Sequence, residues 1–477
     1  MFRFLLLFTI IIIGTQASSQ AFKLDPIRMD SNIYESPIKV IQSIQVVGNQ
    51  VTKGQIIKRE LLFDIGDTIK TSDFANVLEQ SKKNILNTSL FNFAKIEWAL
   101  LDPSHVFIIV TVTERWYTFP VPIFEIDDNN FNTWWQSKDF SRINYGFNLV
   151  RNNFRGRKEK LDILAQFGFT ERIRVKYTIP YVNKNQRGGL GLEFSYNRKD
   201  EISFTSKSNE RQQYKSFGTD AIKNFSYGIN YTFRNEIFNT HAIGIEYDQY
   251  RILDTVRILN PNFLGYNRTR TNFFSLYYTF VNDKRDSKNY PLSGRLFYFN
   301  IKKSGLGISK KGLDLTNIDT RIKKYWDLGK RMYLAGSLRG EYALNNNQPY
   351  LLQNGLGYSS SYGIRAYELY VIDGQNIGLA KAQIKYQLVK PREVDLQFIR
   401  YEKISKFHYA FYLGVFSDFA YVEDNTGFYN NRLANDFLYS SGIGLDFVSY
   451  YDVVIRTEFS INKFGETGIF FHFVAPI

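Results

Sequence analysis

Arg365 sits near the middle of "SSSYGIRAYELYVIDGQ", residues 359–375, a stretch of Ser, Gly and aromatic residues that lacks the alternation found on either side of it. By composition it is a loop. If it enters an interior, the guanidinium needs an anionic partner, because an unpaired buried charge is costly. If it stays outside, it touches water or glycolipid. A second charged group, Asp283, Arg285 and Asp286 in "DKRDSKNYPLSGRLF", sets two carboxylates around one guanidinium. That grouping suits acid–base chemistry or ion pairing, and its place at a strand end, before a turn marked by Pro291 and Gly294, favours the ion pair.

Other constellations argue against catalysis. The histidines, His105, His241, His408 and His472, are scattered singly, so neither a metal site nor a cofactor is expected. There is no Gly-x-Ser-x-Gly elbow and no phosphate loop. "SGLGISKKG", residues 304–312, has glycines and lysines without a following helical pattern and reads as a hairpin end. The expectation is a protein that is not an enzyme.

The elements that must position these residues are set by composition and period. In 477 residues there are 42 Phe, 33 Tyr and 5 Trp, yet 22% of the chain is charged, a mixture suited to strands with one apolar and one polar face. "MFRFLLLFTIIIIGTQASSQ" carries Arg3, an apolar run Phe4–Ile13 and small residues at 17–19, and reads as a secretory signal peptide over 1–19. The run is short of the roughly 20 apolar residues a spanning helix needs. With no cysteine, a lipidated N-terminus and a disulfide scaffold are both excluded. A membrane-resident mature chain would then have to be a closed β-barrel, which satisfies its backbone groups in lipid. The net charge of +14 points to anionic lipid or acidic glycolipid as a partner, and export argues against nucleic acid.

After an N-terminal segment, 20–36, residues 37–116 mix strand and helix periods. "SIQVVGNQ" alternates Ile44 and Val46 and turns at Gly48-Asn49. Thr52 and Gln55 have capping-box spacing before Ile56, Ile57 and Leu61. Phe74, Val77, Leu78 and Ile85 gather on one side of a second helix opened by Thr71 and Ser72. Two alternating strands follow, around 94–100 and 106–112, giving a two-layer α+β domain. From 117 to 477 the helical period vanishes, leaving about sixteen alternating segments of roughly 9 to 12 residues. They begin near 118, 142, 158, 171, 188, 222, 240, 270, 292, 315, 330, 377, 407, 437, 451 and 468. The first, "YTFPVPIF", contains Pro120 and Pro122, each removing one ladder donor; either the prolines weaken pairing with the last segment, "GIFFHFVA", or they lie in the linker and only start the strand. In the first case Pro120, Pro122, Phe471 and Phe473 mark a seam.

The two halves in this order resemble the outer-membrane assembly-factor superfamily, BamA/TamA-like proteins and two-partner secretion transporters, in which periplasmic POTRA domains precede a 16-stranded transmembrane barrel. "IQVVGNQVTKGQIIKRELLFDIGDTI" is similar to the opening of a POTRA domain, with Gly48, Asn49, Gly66 and Asp67 at its turns, and "VTVTERW" to its last strand. "NNFRGRKEKLDILAQFG" resembles the family's early hairpin, turning at Asn153, Gly156 and Arg157, and Asp283, Arg285, Asp286, Pro291 and Gly294 match a barrel motif. "GIRAYE" falls where the family has its sixth extracellular loop: Gly363, Ile364, Arg365 and Tyr367 fit, and Ala366 stands where glycine is usual. In "LGVFSDFAYV", the resemblance implies that Asp418 faces the lumen as a partner for Arg365.

The resemblance implies an outer-membrane protein with its POTRA domain in the periplasm. It would assemble proteins into the membrane or translocate them across it, through a POTRA strand edge and a weak barrel seam. The expected partners are client outer-membrane or exported proteins, membrane lipid and glycolipid, and periplasmic or lipoprotein subunits. A dedicated two-partner-type translocator and a plugged structural subunit of a larger complex remain as alternatives.

Overall fold

The computed structural model describes residues 36–126, 140–307, 313–345, 348–357, 363–395, 406–425, 431–449 and 453–473. The expected signal peptide and the residues up to 35 lie outside the described residues.

The N-terminal region is a four-stranded sheet in the order β2-β1-β4-β3, formed by β1 Ile38–Val47, β2 Thr68–Lys70, β3 Phe91–Leu100 and β4 His105–Glu114. Helices α1, Gly54–Lys58, and α2, Thr71–Leu86, belong to the same region. Strict alternation in β4 buries Val106, Ile108, Val110 and Val112 against Ile56, Ile57, Phe74, Leu78 and Ile85 of the helices. The strand–helix–helix–strand–strand order holds, with the three-residue β2 added before α2. The capping box does not form. Lys53 is the N-cap of α1, with no side-chain cap, and the Thr52 hydroxyl lies 2.9 Å from the Tyr117 hydroxyl. The Thr52 hydroxyl also accepts from Asn153 Nδ2 at 2.8 Å. Contacts with the following domain thus outcompete the local cap.

The remainder is a 16-stranded antiparallel sheet. Its first half comprises β5 Thr118–Ile126, β6 Ile143–Phe154, β7 Glu159–Gly168, β8 Thr170–Ile179, β9 Gly188–Lys199, β12 Ile222–Glu236, β13 Asn239–Ile252 and β14 Arg270–Asp283. The second half comprises β15 Gly294–Ser304, β16 Leu315–Gly329, β17 Met332–Ala343, β20 Asn376–Asp395, β21 Lys406–Glu423, β22 Phe437–Ser449, β23 Val454–Asn462 and β24 Thr467–Phe473. Each expected segment corresponds to one strand, with its start displaced by no more than three residues. Among the described residues, seven strands, β12, β13, β14, β16, β20, β21 and β22, exceed the expected length of about 9 to 12 residues, and two of them do so by a wide margin. A tilted strand of about 9–11 residues crosses the bilayer, whereas β20 has 20 residues and β21 has 18, so the pair extends past the apolar band. Their register shifts between Val389 and Arg392, at Pro391, which has no N–H to donate.

Two further pairs lie outside the barrel ladder. A hairpin joins β10, Glu201–Lys207, to β11, Glu210–Lys215, and β18, Asn354–Gly357, pairs with β19, Val371–Gly374. The stretch 359–375 is therefore not loop throughout: its end is a short strand that closes the loop base. Alternation along the barrel strands is apolar outward and polar inward, as lipid outside and a filled lumen inside require. In β23, Arg456, Glu458, Ser460 and Asn462 are buried while Phe459 and Ile461 are exposed.

Candidate functional site

The inward faces of β20 to β23 meet the loop that carries Arg365. Asp418 is fully buried on β21, and its carboxylate accepts from Arg365 Nε at 2.8 Å, from Nη2, and from the Arg365 backbone N–H at 3.2 Å. Such a fork-shaped, charge-assisted contact is directional as well as strong. Arg365 Nη1 also donates to Glu458 Oε1 at 3.2 Å, and the guanidinium lies over the Phe416 ring at 3.6 Å. One cation thus meets two carboxylates and a π face.

Backbone geometry holds the loop in this position. Ile364 and Tyr367 are buried on either side of Arg365, and the Tyr367 hydroxyl donates to the Tyr439 carbonyl at 3.1 Å. Gly363 is buried beside them. Ala366 has φ +65°, in the left-handed region where glycine is unstrained and alanine is not. Its carbonyl accepts from Asn462 Nδ2 at 3.4 Å.

From Glu458 the ion pairs continue across the wall. Arg456 Nε lies 3.7 Å from Glu458 Oε1, and Arg456 grips Asp446 through Nε and through Nη2 at 2.9 Å. Asp446 also accepts from the Tyr290 hydroxyl at 2.6 Å, and Lys385 Nζ lies 3.5 Å away. Tyr290 belongs to the turn between β14 and β15, at the end of the barrel opposite the Arg365 loop. His472 Nε2 is 3.1 Å from Glu458 Oε2 and 3.6 Å from Glu368. Among the described residues, no group of three or more His, Asp or Glu side chains could hold a metal ion.

The Asp283 motif shapes this turn. Arg285 forks onto Asp283 with both contacts at 2.8 Å. Asp286 Oδ1 accepts the backbone N–H groups of Ser287, Leu292 and Ser293, a bend that includes Pro291. Gly294 closes it at φ +96°, where a Cβ would lie 2.1 Å from the Lys284 carbonyl oxygen.

The same turn touches the N-terminal region. Asn87, just beyond α2, donates to the Asp286 carbonyl at 3.2 Å and accepts from the Lys288 N–H at 3.2 Å. Glu60, almost fully buried, forks with Arg234 of β12 at 2.8 and 2.7 Å. Burial alone would raise the Glu60 carboxyl, but Lys158, Arg234 and Arg59 together hold it down at about 2. At the hairpin turn, the Lys53 N–H donates to the Gly156 carbonyl at 2.9 Å. A side chain at Gly156, φ +68°, would meet the Val51 carbonyl oxygen. Asn153 Oδ1 accepts from the Lys158 N–H at 2.8 Å within this turn, and Arg157 lies over the Tyr181 ring at 4.8 Å.

The other sequence candidates stand apart from this cluster. Gly48, at φ +88°, packs beside Val112, and Asn49 Nδ2 donates to the Thr52 carbonyl. Gly66, at φ +93°, donates its N–H to the Ile41 carbonyl, and Asp67 Oδ2 accepts from Asp64 N–H at 2.8 Å. Pro120 and Pro122 lie within β5, paired with Leu149 and Phe147 of β6. In β24, Phe471 is exposed and pairs with Thr457, and Phe473 pairs with Ile455. Among the described residues the ladder runs from β5 round to β24 and does not join those two strands.

Residues 153–378 match the Omp85 superfamily domain. By fold, the chain is similar to BamA from Haemophilus ducreyi lacking POTRA domains 1-3, at 16% identity and a TM-score of 0.50, covering 92% of this chain and 84% of that one. It is also similar to CdiB from Escherichia coli, at 11% identity and a TM-score of 0.53, covering 91% and 76% respectively. No curated protein matches by sequence. Residues 153–378 thus carry an Omp85 superfamily domain, and the N-terminal α/β region, POTRA-like in fold, followed by a 16-stranded antiparallel sheet has the fold of the barrels it resembles.

Sequence reasoning missed Glu458, Arg456, Asp446 and Tyr290. A signal existed for three of them. In "VVIRTEFSIN" and "SGIGLDF", charged residues fall at the alternate positions that oppose the apolar face, as lumen-facing groups must. Glu60 and Arg234, 174 residues apart, carry no such signal.

Proposed function

We propose that this protein inserts client β-strands into the outer membrane in the manner of BamA- and TamA-like assembly factors. The observation that carries the reading is the absence of a ladder between β5 and β24 among the described residues. An unjoined strand edge within the membrane exposes backbone donors and acceptors that a client strand can satisfy by β-augmentation. Pro120 and Pro122, which lie within β5, weaken it as a partner for β24. In the periplasmic region, β2 covers only Ile38 to Val40 of β1, and the outer edge of β3 is a second place for a client or periplasmic partner. The Arg365 pair with Asp418 acts as a latch that keeps the lumen filled while the seam works.

The chain has no cysteine, so one cysteine in β5 and one in β24 make an unambiguous lock. Oxidation should stop client insertion and reduction should restore it. Full activity in the locked state would contradict the seam reading. A dedicated translocator is the second reading, and it predicts instead that shortening the Arg365 loop opens a large conductance in planar bilayers.

A further inference from the structure

A cavity of about 370 Å³ lies between the N-terminal region and the periplasmic end of the barrel wall. On its barrel side, Thr232 and Arg234 alternate with the lipid-facing Tyr231 and Phe233 of β12 and so face the lumen, and the strand register puts Thr178 of β8 and Asp283 of β14 on the same face. Six cations line it: Arg59, Lys158, Arg187, Arg234, Arg285 and Lys288. Only two carboxylates do so, Glu60 and Asp283, leaving four positive charges uncompensated.

The two carboxylates are already engaged. Glu60 is forked by Arg234 and Asp283 by Arg285. Arg59 stacks at 5.7 Å from the Tyr181 ring and reaches Glu60 through Nε at 3.5 Å, but its Nη1 is buried without a hydrogen-bond partner. Lys158 lies 3.8 Å from Glu60 with 27% of its side chain still exposed. Arg187 and Lys288 are exposed. A buried donor left unmade is costly, and a cavity of one sign concentrates ligands of the other.

We propose that this cavity binds a carboxylate-bearing segment of a client polypeptide at the periplasmic mouth of the lumen. Arg59 Nη1 and Lys158 Nζ hold the carboxylate, while Arg187 and Lys288 attract it from the rim. A peptide is favoured over a lipid headgroup because the barrel residues of the cavity face the lumen and not the lipid. The proposal rests on the reading that client chains pass this mouth.

The test uses the full-length protein in detergent micelles and a fluorescent peptide carrying consecutive glutamates, with its glutamine counterpart as control. Two double variants are compared, Arg59→Gln with Lys158→Gln and, at the exposed rim, Arg187→Gln with Lys288→Gln. The glutamate peptide should bind, weaken with added salt, and lose about tenfold or more in affinity in each double variant, as expected for loss of charge-assisted contacts. The glutamine peptide should not bind. Equal binding of both peptides would overturn the proposal. So would unchanged affinity in both variants, or displacement of the peptide only by phosphatidylglycerol vesicles. Peptide binding can fail while the seam lock still stops insertion, so this proposal and the insertion reading fall separately.

Discussion

Replacing Arg365 by alanine leaves Asp418 and Glu458 buried at 0% and 1% exposure without their shared cation. Breaking a buried pair by removing one partner costs about 3–5 kcal/mol. Two anchors remain, because Ile364 and Tyr367 are 1% and 0% exposed, and burial of each such side chain is worth about 1.5–3 kcal/mol. The anchors therefore roughly match the loss, so the loop stays seated on average and opens far more often. An opening free energy lower by about 3–5 kcal/mol raises amide exchange by about two to four orders of magnitude. Hydrogen exchange at residues 364–370 should show this, with the β20 to β23 ladders unchanged. Arg365→Lys should fall between, since an ammonium cannot fork onto a carboxylate. In a double-mutant cycle, Arg365→Ala with Asp418→Asn should be strongly non-additive, because the residues share one contact. Unchanged exchange in Arg365→Ala, or simple additivity, would refute the claim that this ion pair holds the loop.

Other changes read the same structure elsewhere. The Glu60 carboxyl is depressed from 4.5 to about 2 by its docking partners, so its stabilisation is present above about pH 4.5 and is lost as pH falls through about 2. Spin-label distances between α2 and the β14–β15 turn should lengthen over that window, and Glu60→Gln should lengthen them already at neutral pH. Gly294→Ala places a Cβ 2.1 Å from the Lys284 carbonyl at positive φ; it should destabilise the barrel by about 2 kcal/mol or more in urea unfolding. Ala366→Gly relieves a left-handed alanine worth about 1–2 kcal/mol against an unfolded-state cost of about 0.4–1 kcal/mol. Exchange in the loop should therefore slow roughly two- to fivefold, the fold-change equivalent of the difference.

The barrel was legible because its physics repeats. Lipid outside and polar lumen inside force period-two alternation in every strand, so Ile443, Leu445 and Phe447 announce β22 without any tertiary knowledge. The N-terminal core was legible for the same reason, through the 3.6-residue spacing of Phe74, Leu78 and Ile85. What stayed hidden depends on partners distant in sequence. Thr52 reads as a cap locally but takes partners in Tyr117 and Asn153, contacts that only the docked arrangement supplies. The β19 strand hides in a loop-like composition because its pairing partner, Asn354–Gly357, lies across the whole excursion. Arg365 stood out by type and place, whereas the Glu458, Arg456 and Asp446 relay needed the lumen-facing parity to be followed as closely as the apolar one.

The central claim is that the protein assembles outer-membrane barrels in general. Depleting it and quantifying the whole outer-membrane proteome tests this most directly. The account predicts a broad fall in β-barrel proteins, rescued by the wild-type chain and only weakly by Arg365→Ala. Loss of a single exported protein, with the other barrels at normal abundance, would contradict it.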